Sequence, residues 1–195
     1  GTYTSYTSAV TVNTDVKPVQ GWGWANAGGD GTTYQGVGWV RLSWDTLDAA
    51  KAKGPAAYQH GVYYDSDGVM SGWAWSGLTC NPAEGRAAGS TCGYGWLSFN
   101  SGDLTNCPSD SCEARVSLTG AGDIKTVTGW AKFVPSTAMP WAGDGWVSLS
   151  KKTNETIGYG AKLSVSTGWL SGKAWGGPQV IGWLNFDEVP PPTTI

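Results

Sequence analysis

The chain has 195 residues, 14% of them charged, with a formal net charge of −3, and it carries 30 glycines and 13 tryptophans. That balance argues against a nucleic-acid binder, which normally needs a basic stripe, and no apolar run approaches the roughly eighteen residues of a membrane-spanning helix. It describes an all-β, turn-rich chain of one domain or two small ones, long enough to bury a sizeable core.

Residues Gly1 to Val19 alternate Thr, Tyr, Ser and Val with no loop signal before Pro18, and predict an extended N-terminal arm or strand over 1–19. A start without methionine, a charged segment or an apolar segment reads as a secreted chain whose leader has been removed. A repeat β domain is expected over 20–189. Its first tryptophan phrase opens as Gly21-Trp22-Gly23-Trp24 and closes as Gly38-Trp39-Val40-Arg41-Leu42. A surface helix is expected from Thr46 to Lys53, with Asp45 as N-cap and Gly54 as its stop. The phrase returns as Gly72-Trp73-Ala74-Trp75 with Gly95-Trp96-Leu97-Ser98-Phe99. It returns again as Gly129-Trp130-Ala131-Lys132 with Gly145-Trp146-Val147-Ser148-Leu149, and as Gly172-Lys173-Ala174-Trp175 with Gly182-Trp183-Leu184-Asn185-Phe186. The tail, 190–195, is proline-rich and unable to donate a regular ladder.

An aromatic pattern that recurs without an accompanying acid, base or nucleophile repeats a structure, not a reaction. The copies are read over about 9–45, 61–100, 114–150 and 159–187, each as three short strands. First strands fall at Ala9 to Val16, Gly61 to Asp65, Ala114 to Leu118 and Ala161 to Val165; the second strand carries the opening phrase and the third the closing phrase. The expected fold is all-β: four such meanders forming a sandwich or barrel-like sheet assembly, with extended terminal arms. Period two places Trp73 and Trp75 on one face and the small residues on the other. Because an aromatic ring buries roughly 150–250 Å², Trp22, Trp24, Trp39, Trp73, Trp75, Trp96, Trp130, Trp146, Trp175 and Trp183 are expected to form the core.

The four cysteines allow three connectivities. Local pairing, Cys80 with Cys92 and Cys107 with Cys112, closes two loops that have little else to hold them; a zinc site is the rival, disfavoured by the lack of a Cys-x-x-Cys and by the distance of the single histidine, His60. His60 lies beside no nucleophile phrase, so an acyl-transfer site is not expected. Asp30, Asp67, Asp103, Asp123 and Asp144 adjoin glycines, which is turn chemistry before it is acid–base chemistry. Asp65-Ser66-Asp67-Gly68 reads as a hairpin turn, with a surface calcium site through Asp65 and Asp67 as the alternative; no other cofactor is expected. Trp44, Trp141 and Trp169 fall outside the regular phrase and are candidates for a glycan platform, since an indole face stacks on a sugar ring.

The repeats resemble a tryptophan-rich repeat of secreted and surface bacterial proteins that reads Gly-[Tyr/Trp]-Ala-Trp-Ser-Glu-Asn-[Ile/Val]-Gly-Trp-[Ile/Leu]-x-Phe. Ser71 to Ser76 matches its first half and Ile181 to Phe186 its second, and degenerate copies run from about Gly21 to Phe186. The chain departs at the middle, where longer loops, one bearing Cys80 and Cys92, replace the short connection. The resemblance implies a secreted, envelope-associated β protein and no catalytic residue. The expectation is therefore a non-enzymatic structural subunit of an extracellular bacterial filament, pilus or surface layer. It would polymerise with copies of itself by β-strand addition, with Tyr3, Tyr6, Val10 and Val12 of the arm contacting the neighbour. The alternative is a secreted carbohydrate-binding module or adhesin. Neither reading involves nucleic acid or a membrane span.

Overall fold

In the computed structural model the described residues are 16–25, 37–43, 61–79, 91–109, 111–134, 145–151, 156–177 and 181–188. The helix expected at Thr46 to Lys53 lies outside them, and they contain β-strands and turns and no α-helix. Thirteen strands occur: β1 (Lys17–Val19), β2 (Trp22–Ala25), β3 (Gly38–Arg41), β4 (Gly61–Tyr64), β5 (Met70–Thr79), β6 (Thr91–Ser98), β7 (Arg115–Val116), β8 (Ile124–Thr128), β9 (Trp130–Phe133), β10 (Trp146–Ser148), β11 (Ala161–Ser164), β12 (Leu170–Trp175) and β13 (Trp183–Asn185).

Eight of them close into an antiparallel barrel in the order β10-β9-β6-β5-β3-β2-β13-β12, with β12 returning to β10 through Ser148 and Trp175. The ring consists of the hairpins β2–β3, β5–β6, β9–β10 and β12–β13, each carrying one opening and one closing phrase. The other five strands form a lower tier. β4 runs between β1 and β5. Val69, which leads into β5, bridges Arg115 of β7. β8 then joins β7 to β11, and β11 joins β12. β5 and β12 run through both tiers, and β1 leads into β2 as β8 leads into β9.

The core is made mainly of aliphatic and phenyl side chains, with Trp130 and Trp146 as its indoles. Across the hairpins a small inward residue on the opening strand faces a larger one on the closing strand: Gly23 with Val40, Ala74 with Leu97, Ala131 with Val147, Ala174 with Leu184. All but the glycine among these have no exposed surface. An eight-stranded barrel has just enough interior for such alternating side chains to fill it, so ten indoles do not fit inside. Of the ten expected in the core, only Trp130 and Trp146 are buried, at 5% and 8% exposure; Trp22, Trp24, Trp39, Trp73, Trp75, Trp96, Trp175 and Trp183 are half-buried.

On the outer face the indoles shelter one another. Trp24 and Trp39 lie 4.8 Å apart between ring centroids, Trp75 and Trp96 4.5 Å, and Trp175 and Trp183 4.5 Å. A second ring meets the closing tryptophan edge-on: Trp22 on Trp39 and Trp73 on Trp96, each at 6.4 Å. Where the third hairpin has Lys132 in place of an indole, its Nζ sits 4.6 Å over Trp146, a cation–π contact. In the fourth, Lys173 stands at the other indole position and Tyr159 brings its ring to 5.2 Å from Trp183.

The two tiers meet at the opening glycines. Gly21, Gly72, Gly129 and Gly172 have φ of +116°, +92°, +85° and +79°, a region that side-chain-bearing residues rarely enter. Each carbonyl accepts from the residue that ends the closing phrase: Leu42 at 3.1 Å, Phe99 at 3.0 Å, Leu149 at 3.0 Å and Phe186 at 2.8 Å. Those four apolar side chains are buried.

Candidate functional site

The lower tier is closed unevenly, and the unevenness marks the site. Beneath β3, β6 and β10 lie β4, β7 and β11, each an antiparallel strand between two long ones. Among the described residues no strand lies beneath β13. There β1 and β12 meet directly, through a parallel bridge between Gln20 and Trp169. Two backbone bonds hold the seam: Gln20 N–H donates to the Gly168 carbonyl at 2.7 Å, and Leu170 N–H donates to the Gln20 carbonyl at 3.0 Å. On the β1 side, Gln20 is steadied by the Ser43 hydroxyl, which donates to its Oε1 at 2.8 Å.

The opening glycine at the seam is also covered differently. At Gly72, Gly129 and Gly172 an added Cβ would collide with the backbone carbonyl of Gly61, Glu113 and Gly160. At Gly21 it would meet an indole instead, Trp169 Cε3, at 3.0 Å. Trp169 is 54% exposed, an unusual state for so large an apolar ring.

The β12 side of the seam is set by the turn from Ser164 to Gly168. Ser164 Oγ donates to Asp123 Oδ2 at 2.5 Å and Ser166 N–H to Asp123 Oδ1 at 2.7 Å. The Ser164 hydroxyl first, and the Ser166 N–H after it, hold the Asp123 carboxyl below its ordinary range. Thr167 Oγ1 donates to Ser164 Oγ at 2.8 Å, and Gly168 N–H to the Ser164 carbonyl at 2.8 Å. The Ser164 hydroxyl thus donates to the carboxylate and the Thr167 hydroxyl to Ser164 Oγ, an arrangement that fixes the turn.

Other sequence candidates are placed as follows. Cys107 and Cys112 form a disulfide, and the loop they close is seated by Trp130, whose Nε1 donates to the Ser109 carbonyl at 2.7 Å. Cys80 and the side chain of Cys92 lie outside the described residues, as do Tyr3, Tyr6, Val10, Val12, Trp44, Trp141 and His60. Asp65 and Asp67 form a turn: Asp65 Oδ1 accepts from the N–H groups of Asp67 and Val69, both at 2.9 Å. Arg115 Nη1 donates to the Asp67 carbonyl at 2.6 Å, so a cationic side chain already caps this turn. Among the described residues no three His, Cys, Asp or Glu side chains converge as a metal site, and no helix is long and apolar enough to cross a membrane. A cleft lined by Ser111, Thr128, Gly129, Trp130, Ser148, Ser150 and Lys151 has no carboxylate in its lining.

Sequence reasoning singled out Trp169 but missed its seam partners, Gln20, Gly21 and Gly168. One signal was available. Lys17 occupies the place, two residues before a buried apolar strand residue, where Gly68 and Gly168 precede Met70 and Leu170. No protein-family model, curated protein or solved structure matches this chain.

Proposed function

We propose that this chain is a non-enzymatic structural subunit of an extracellular filament or surface assembly, joined to its neighbours by β-strand addition of a terminal arm. One observation carries the reading: the seam where the ends of β1 and β12 meet by a single parallel bridge, Gln20 with Trp169, while the strand pairings among the described residues are antiparallel. Two backbone bonds are a small return for two strand edges. An antiparallel strand added there would have to part β1 from β12; it would then bond to both edges and pack apolar side chains against Val19 and Leu170, which is how strand addition gains affinity. A contact of this kind is head-to-tail, and head-to-tail contacts that do not close build fibres. The disulfide and the resemblance of the tryptophan phrase to repeats of bacterial surface proteins support an extracellular setting.

Electron microscopy of the natively secreted protein tests this. Regular fibres are expected, and a chain lacking residues 1–15 should remain folded by circular dichroism yet form none. Monodisperse particles from the intact chain would overturn the reading. A glycan-binding module is the second reading, favoured by the exposure of Trp169; it requires glycan-array signal that Trp169→Ala removes.

A further inference from the structure

We infer that the strand acceptor is the β1–β12 seam and that the donor, residues 9–12 of a second copy, seats with Val10 opposite Gly21, Thr11 opposite Gln20 and Val12 opposite Val19. This rests on the strand-addition reading above and adds to it the acceptor edges, the register and the contacts that must open, namely the two seam bonds and the Trp169 indole.

The register follows from the three strands that fill the equivalent positions. Val62 lies opposite Gly72 and Ala161 opposite Gly172; the pairing of Arg115 with Thr128 sets Ala114 against Gly129. Val62, Ala161 and Ala114 are all buried. Two residues on, Tyr64, Leu163 and Val116 face Met70, Leu170 and Val127, and all six are buried. The residue between is unconstrained: exposed Tyr63, exposed Lys162 or half-buried Arg115. A strand in this position must therefore read apolar, free, apolar, with β-branched or smaller side chains first. On the β1 edge of the seam the facing residues are Gly21 and Val19, which is wholly buried. Within residues 1–15 only Val10-Thr11-Val12 carries apolar side chains two apart.

The donor is assigned to another copy because the first repeat lacks the return glycine of the other three. The strands that fill the other positions return through glycines in the left-handed region: Gly68 at φ +82°, Gly168 at +76°, and Gly120 and Gly122 at +85° and +90°. The first repeat has Lys17 where Gly68 and Gly168 stand, and Lys17 is strand, paired with Tyr64. No glycine lies between Gly1 and Gly21. The first repeat thus lacks the glycine through which the other filling strands turn back.

Trp169 marks the place the donor takes. Over the other three opening glycines lies the carbonyl of the residue just before the buried small one, namely Gly61, Glu113 or Gly160. In the inferred register that residue is Ala9. Its carbonyl would replace the Trp169 indole over Gly21, and the donor would take over the two bonds that now join β1 to β12.

The test uses the full chain in two single variants, Thr11→Cys and Gln20→Cys, mixed, assembled and mildly oxidised. In the inferred register the two thiols stand directly opposite each other, at the position that the other filling strands leave unconstrained. A cross-linked dimer is expected from the mixture, and little or none when Gln20→Cys is replaced by Lys162→Cys. Equal cross-linking to both partners would overturn the inference. So would fibres that form without the Thr11–Gln20 cross-link, an outcome that spares the filament reading and removes only this acceptor. A cross-link within a single copy of the double variant at high dilution, with no fibres, would remove both. As a second measurement, Val10→Asp subunits should accept but not donate, so a few per cent of them should shorten wild-type fibres severalfold. Fibres of unchanged length containing that variant would overturn the register.

Discussion

At the scale of single residues, the opening glycines and one tyrosine show how far local demands reach. Gly72 combines a left-handed backbone with the Gly61 carbonyl pressed against it. Gly95 has φ of +79° but open space around it. Alanine at Gly95 should therefore cost only backbone strain, about 1–2 kcal/mol. Alanine at Gly72 must also displace a backbone carbonyl and should cost about 3 kcal/mol or more. Urea denaturation of the two variants checks the difference, and equal losses would refute the steric account. Tyr64 is 1% exposed and its hydroxyl is buried without a hydrogen-bond partner. Burial, with the Asp123 charge second, pushes its phenol above the ordinary value. Since an unsatisfied buried hydroxyl costs stability, Tyr64→Phe should stabilise the fold by about 1 kcal/mol, read as a higher denaturation midpoint.

At the scale of elements, two loops are held by identifiable devices. Asp123 ties the Ser164–Gly168 turn to β8, and its carboxyl titrates below the ordinary value. A carboxylate depressed in the folded state contributes stability that is present above its unfolded pKa, about 3.9. That contribution is lost as pH falls through the lower folded value. The midpoint difference between wild type and Asp123→Asn should thus be constant near neutrality and shrink towards zero in acid. A difference that grew on acidification would contradict the assignment. The Cys107–Cys112 bridge spans a sequence separation of 5. For so short a loop, removing both cysteines should cost roughly 2 kcal/mol through the unfolded chain, again read from urea midpoints in the paired serine variant. The salt bridge from Arg115 to Glu113 is partly exposed on both sides and contributes little beside these.

At the scale of the whole molecule, what could be read from the sequence divides along physical lines. Period two and the glycine punctuation make the β character and the hairpin phrases legible, because strand residues are local: Trp73-Ala74-Trp75 alternates whether or not anything packs on it. Which face turns inward is not local. Period two separates Trp75 from Ala74, but only the width of a closed eight-stranded ring decides that Ala74 goes inside and the indole goes out. Closure was illegible for the same reason, since the pairings of β3 with β5 and of β6 with β9 join phrases whose loops say nothing of their neighbours. The seam lay between these cases. Its geometry needs three dimensions, yet one sign of it, the lysine standing where a turn glycine recurs, is in the sequence.

The outer indole pairs have an optical consequence. Trp24 with Trp39, Trp75 with Trp96 and Trp175 with Trp183 are fixed 4.5–4.8 Å apart with their planes tilted by 49–59°. Chromophores that close and that skewed share their electronic excitations, so each pair should give the folded protein a paired positive and negative circular-dichroism band that isolated tryptophans lack. Each pair joins the two strands of one hairpin. The barrel therefore carries its own spectroscopic reporter of hairpin formation, legible without a label and separate from the backbone signal.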